Sequence, residues 1–154
     1  MEEFHSTINR FITENNIDAI HFVLRESCHS VQDAAKAINV SQNNFVKNIC
    51  FLDNKEQLIL AIVRGEDRVS TTRVGKALDI ERPRLATEDE ILAQTGFPAG
   101  GVPSFGFKAT FLVDPKVTQL PYIYTGGGSQ FSLIKVETNS MLLTNKGQVI
   151  RIRK

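Results

Sequence analysis

The order of apolar and polar positions describes a chain of mixed α and β elements. Phe4, Ile8, Phe11 and Ile12 recur at helical spacing and predict an amphipathic helix over residues 2–15, ended by Asn15-Asn16. Residues 18–25 alternate as a strand does. Ser30-Val31-Gln32-Asp33 opens a second helix in the manner of a capping box, with Val31, Ala34, Ala35 and Ile38 on one face and a stop near Asn39. Residues 45–52 and 57–63 are two apolar runs separated by Asp53-Asn54-Lys55-Glu56, which predicts a hairpin. Ser70 or Thr71 caps a short helix to about Leu78, and Thr87-Glu88-Asp89-Glu90 is a capping box for a helix that Gly96 ends. Strands follow near 109–113, 121–125, 131–136 and 148–152, with Asp114-Pro115, Gly126-Gly127-Gly128 and Asn145-Lys146-Gly147 as turns and a short helix from Thr138 through Leu143.

Strands and helices do not alternate strictly enough for a doubly wound sheet. The pattern therefore predicts an α+β fold: a single domain over residues 1–154 with a curved, partly closed mixed β-sheet flanked by helices. At 154 residues such a domain can bury roughly 68–70% of the unfolded chain's surface, enough for one core without disulfides or metals. The composition, 42% apolar and 23% charged, is that of an ordinary soluble globular protein. No run approaches the ~20 apolar residues of a membrane span, and Met1-Glu2-Glu3-Phe4-His5 has no apolar signal region. A cytoplasmic protein without membrane contact is expected.

Cys28 and Cys50 have no neighbours at metal-ligand spacing, and His5, His21 and His29 are scattered without a second ligand cluster. No metal and no cofactor is expected. The nucleophile elbow of hydrolases, the Walker loop of phosphoryl-transfer enzymes and the zinc-protease helix motif are all absent from the sequence. The formal charge of +1 hides local asymmetry. Arg64, Arg68, Arg73, Lys76, Arg82 and Arg84 form one basic stretch, and Lys146, Arg151, Arg153 and Lys154 another. Such stretches form either a solvated, salt-bridged face or a modest surface for a polyanion.

Lys47 changes the picture, because it interrupts the apolar strand Phe45-Val46-Lys47-Asn48-Ile49-Cys50-Phe51-Leu52. A lysine there either snorkels outward, guards a strand edge or meets an anion. Two glycine-rich segments follow, Gly96-Phe97-Pro98-Ala99-Gly100-Gly101-Val102-Pro103-Ser104-Phe105-Gly106 and Gly126-Gly127-Gly128-Ser129. Residues without side chains serve tight turns, and they also let a carboxylate, a phosphate or an oxyanion approach backbone N–H groups.

From Ser30 to about Leu143 the ordered set of motifs resembles the YbaK and prolyl-tRNA synthetase associated editing domains. It comprises the helix Val31–Ile38, the strand with Val46-Lys47-Asn48, the arginine-bearing turn Val63-Arg64-Gly65-Glu66-Asp67-Arg68, Arg84-Leu85-Ala86-Thr87, the loop Gly96–Pro103, Val113-Asp114 and the late glycine turn. The resemblance implies a YbaK-like fold and a deacylase that hydrolyses the ester of a mischarged tRNA. It implies a small amino acid such as alanine, cysteine or serine on proline tRNA. Lys47 would be the catalytic residue. Gly100, Gly101, Val102, Pro103 and Ser104, with Gly126, Gly127, Gly128 and Ser129, would bind the aminoacyl end. The implied partners are the tRNA acceptor end and an aminoacyl-tRNA synthetase, and a chain of this length would act as a free-standing enzyme. Ser104 stands where the family usually has a second proline, and Gln130-Phe131-Ser132-Leu133 lacks the acid that the bacterial YbaK branch carries there. Two other readings are a silent module that binds tRNA or an aminoacylated ligand, and a small-molecule esterase on the same scaffold. No side chain stands out as a general base or nucleophile.

Overall fold

The computed structural model describes residues 1–28 and 30–154; His29, one of the three scattered histidines, lies outside the described residues. Helix α1 spans Glu2–Glu14, β1 Ala19–Val23, α2 Val31–Ala37, β2 Val46–Leu52 and β3 Leu58–Arg64. After these come α3 Thr71–Leu78, β4 Arg84–Leu85, α4 Glu88–Thr95, β5 Thr110–Val113, α5 Pro115–Thr118, β6 Tyr122–Gly126, β7 Ser132–Glu137, α6 Thr138–Asn145 and β8 Gln148–Val149. The capping residues act as their chemistry predicts. Ser30 and Ser70 each accept the N–H three residues on. Thr87 and Glu90 form a reciprocal capping box, and α4 ends on Gly96 at φ +82°.

The strands form an α+β domain with two adjoining sheets. Five strands in the order β4-β2-β3-β5-β8 make the larger sheet, antiparallel from β4 to β3 and parallel from β3 to β8. Three antiparallel strands in the order β1-β7-β6 make the smaller. An isolated parallel bridge between Phe45 and Tyr124 joins them, so β2 and β6 lie side by side and the assembly curves without closing. Strand β3 is buried from Leu58 through Val63 because both of its faces are covered. Leu58, Leu60 and Ile62 pack into the main core with Ile123, Ile134 and Met141. Ile59, Ala61 and Val63 face Val74, Leu112 and Ile152.

Several stretches differ from the sequence-based expectation, among them the unexpected strand β4, which pairs with β2. Asp114-Pro115, expected as a turn, caps α5: the Asp114 side chain accepts Lys116 N–H, and proline occupies the start of the helix, where its missing N–H costs nothing. A 3-10 turn, Ala99–Gly101, sits inside the glycine-rich segment. The strand expected over 148–152 is only Gln148–Val149, because Asp114 Oδ2 captures the N–H groups of Ile152 and Arg153 at 3.0 and 3.1 Å.

Asp114 also corrects the reading of the basic tail. Its carboxylate is fully buried and ion-paired with Arg153 Nη1 at 2.9 Å, so Arg153 holds the fold together and is not a free surface cation. Burial alone would favour the neutral acid, but hydrogen bonds from Lys116, Ile152 and Arg153 outweigh it and hold the carboxyl below its usual range. A depressed folded pKa gives stability above the unfolded value that is lost as pH falls through the folded one. Asp114→Ala is expected to cost about 3–5 kcal/mol, because it leaves Arg153 and two backbone N–H groups unpaired. Urea unfolding at pH 7 checks this, and the gap between wild type and variant is expected to shrink below pH 3.8, the usual aspartate value.

Candidate active site

The side-by-side placement of β2 and β6 opens a cleft of about 790 Å³, the size of a small-ligand site. Its walls come from β2, the loop at Ala99–Val102, the turn from Thr125 to Ser132 and the start of α2. Lys47 lines it, half-buried on β2 opposite Val63. The lysine does not snorkel away, and among the described residues it has no ion-pair partner: its Nζ donates to the carbonyl oxygen of Asp67 at 3.1 Å. One of the ammonium's three hydrogens is thereby used, and the side chain is held in one direction.

The glycine segments divide into lining and support. Gly100, Val102, Gly126 and Ser129 line the cleft with Lys47. Gly101, Pro103, Ser104, Gly127 and Gly128 are buried behind it. The two loops interlock there. Gly128 N–H donates to Gly101 O at 2.8 Å, and a Cβ on Gly101 would overlap the backbone of Gly128 and Ser129. A Cβ on Gly126 would overlap Val102 O. These glycines are required because two backbones touch.

Asn48, the neighbour of Lys47, binds both loops to β2. Its Nδ2 donates to Val102 O at 2.9 Å and to Thr125 Oγ1 at 2.7 Å. Ser104 Oγ donates to Asn48 Oδ1 at 2.9 Å and lies 2.8 Å from Thr125 Oγ1, whose own proton it accepts. Asn48, Thr125 and Ser104 thus close a ring in which each side chain both donates and accepts. Ser104 acts on the cleft from behind, through Asn48 and Thr125, whereas a proline at that position has no hydroxyl to give the ring.

Cys28 lines the cleft and Cys50 lies in the core. Burial pushes the Cys50 thiol up to about 11. Burial first, then Asp33 and Glu26, raises that of Cys28. Neither supplies a thiolate nucleophile at neutral pH. Among the described residues, no three His, Cys, Asp or Glu side chains gather as a metal site. Among them also, no helix is long and apolar enough to cross a membrane.

His5 was visible in the sequence only as an isolated histidine. In the fold its Nε2 lies 2.7 Å from Ser129 Oγ, which brings α1 onto the late glycine turn. The separation of 124 residues hides this contact from any local motif.

This architecture is that of a known class of domain. A model of the aminoacyl-tRNA editing domain family matches residues 25–142, so the chain belongs to that family. Among its relatives, the proline–tRNA ligase of Brachyspira hyodysenteriae is 26% identical over 128 residues, covering 80% of this chain and 21% of the ligase. The chain thus corresponds to about a fifth of that enzyme's length. The uncharacterized protein YwhH of Bacillus subtilis is 26% identical over 112 residues, 71% of each chain. The crystal structure of a candidate trans-editing enzyme for prolyl tRNA synthetase superposes with a TM-score of 0.87 over 98% of this chain and 97% of its own, at 21% identity, which establishes the shared fold.

The interlock predicts opposite outcomes for adjacent glycines. Gly101→Ala is expected to lose about 1–3 kcal/mol through backbone overlap. Gly100→Ala is expected to stay close to wild type, since its Cβ would meet only the Gln130 side chain, at 3.5 Å. Calorimetric melting of both variants checks the contrast, and equal melting temperatures would contradict it.

Proposed function

We propose that the protein is an aminoacyl-tRNA deacylase, hydrolysing the ester that joins a wrong, small amino acid to proline tRNA in the cytoplasm. The observation that carries this reading is a directed ammonium, Lys47, in a cleft walled by glycine backbone, within a chain that belongs to the aminoacyl-tRNA editing domain family. The kinship with a proline–tRNA ligase supports proline tRNA as the carrier.

The cleft volume suits a terminal nucleoside with a small aminoacyl group. Lys47 has two N–H bonds beyond the one given to Asp67, enough to hold a phosphate or the ester carbonyl and to stabilise the negative charge that develops there. Gly100, Val102, Gly126 and Ser129 bound the aminoacyl end, and the interlocked loops Gly101, Pro103, Ser104, Gly127 and Gly128 keep that wall rigid. Selection is steric. A synthetase pocket rejects a smaller apolar substrate by only about two orders of magnitude, and a second, smaller site supplies the rest. A neighbouring hollow of about 310 Å³ bears Arg64 and shares Gly65 and Glu66 with the main cleft. Arg64 lies 3.6 Å from Glu66 Oε1 there, and its guanidinium is the cation that the phosphates preceding the terminal nucleoside would meet in exchange for that carboxylate.

Release of amino acid from proline tRNA charged with alanine, cysteine, serine, threonine or proline tests the reading. We expect loss of one small amino acid and retention of proline, with Lys47→Ala slowing the reaction at least about 100-fold while the circular dichroism spectrum is unchanged. An active Lys47→Ala protein would remove the lysine from the mechanism. Binding of every charged tRNA without turnover would instead select a silent tRNA-binding module.

A further inference from the structure

The deacylase reading leaves the attacking oxygen without a proton acceptor, and a cluster at the edge of the cleft offers one. His5 is buried on α1, with its Nε2 2.7 Å from Ser129 Oγ. Ser129 Oγ is 3.1 Å from Ser132 Oγ, and both serines line the cleft. The partners limit where the protons lie. Ser129 Oγ accepts Phe131 N–H, and Ser132 Oγ accepts Ser129 N–H, each at 3.1 Å. Ser132 directs its own proton to Ser129 O at 3.2 Å. The shortest contact open to the Ser129 proton is His5 Nε2, which accepts it when the imidazole is neutral and carries its own proton on Nδ1.

His21 on β1 favours that neutral form. Its Nε2 lies 2.8 Å from Gly127 O, and because a carbonyl only accepts, this nitrogen carries a proton. The two rings meet edge to face with centroids 4.9 Å apart. Burial first, then His21 and the N-terminal amine, lowers the His5 pKa, with Glu2 opposing. The turn from Gly126 to Ser132 brings no titratable group to the ring. His5 is therefore a neutral proton acceptor at pH 7. Both histidines stand outside residues 25–142, the stretch that defines the family.

Resting on the deacylase reading, we propose that His5 is a positioning residue that accepts, through the Ser129 hydroxyl, the proton of the water that attacks the aminoacyl ester. As the water oxygen bonds to the carbonyl carbon, one of its O–H bonds breaks and that proton passes to Ser129 Oγ. The Ser129 proton passes at the same time to His5 Nε2. The bond from the carbonyl carbon to the ribose oxygen then breaks, and the proton returns from His5 through Ser129 to that oxygen. Water is consumed, the tRNA hydroxyl is restored, the amino acid's new carboxyl gives its proton to solvent, and His5 and Ser129 end as they began. Lys47 carries the developing negative charge and takes no part in the transfer.

The test is the pH profile of single-turnover deacylation by the whole protein, for wild type, His5→Gln, Ser129→Ala and the double variant. The wild-type rate constant is expected to fall tenfold per pH unit on the acid side, with a midpoint below the usual 6.5 of histidine. His5→Gln is expected to lose about 100-fold in rate constant and the whole acid limb, with tRNA affinity unchanged. Ser129→Ala, which keeps the histidine should His5→Gln fail to fold, is expected to lose as much rate constant and the same acid limb, and the double variant to be no slower than either. An acid limb that persists in these variants, or losses that multiply in the double variant, overturns the relay alone. Absence of turnover from every charged tRNA overturns the deacylase reading and the relay with it.

Discussion

The site depends on the contact of two backbones. Gly101 and Gly128 meet through one N–H···O bond, and Gly101 and Gly126 have no room for a side chain. That contact sets the distance between the loop after α4 and the turn between β6 and β7, which form facing parts of the cleft wall. A side chain at either position would push the walls apart by more than a packed interior tolerates. The ring of Asn48, Ser104 and Thr125 then ties the joined loops to β2, one residue from Lys47. Lysine and glycine wall are thus parts of one rigid unit, and neither can be placed without the other.

Much of this fold was legible because its local rules agree with one another. Helices α1 to α4 begin and end close to where periodicity and capping residues put them, and the β2–β3 hairpin has the expected arms. What was not legible rests on partners distant in sequence. Asp114-Pro115 read as a turn, yet the same residues cap α5 because the Asp114 carboxylate also gathers the chain near Ile152 and Arg153. Arg153 read as part of a basic tail for the same reason.

The candidate site was legible in its chemistry more than in its architecture. Lys47 stood out as a charge in an apolar strand, and it lines the cleft. The glycine segments were legible as places where backbone is approached closely, but what approaches Gly101 and Gly126 in the fold is the other glycine segment. Asn48 was legible only as the last residue of the Val46-Lys47-Asn48 motif; its role exists only when Val102, Ser104 and Thr125 surround it. Ser104 was conspicuous as a substitution, and its hydroxyl turns out to close that ring.

The join between the two sheets has a mechanical meaning. Each sheet is held by its own ladder of backbone hydrogen bonds, whereas between them the backbone pairs at the isolated bridge of Phe45 with Tyr124. Those two rings stack 4.8 Å apart, and both line the cleft at the same end as the bridge. Asn48 of β2 also bonds Thr125 of β6 across the join at 2.7 Å, so the width of the mouth is set by side chains that meet across it, whereas each wall is set by its own backbone ladder.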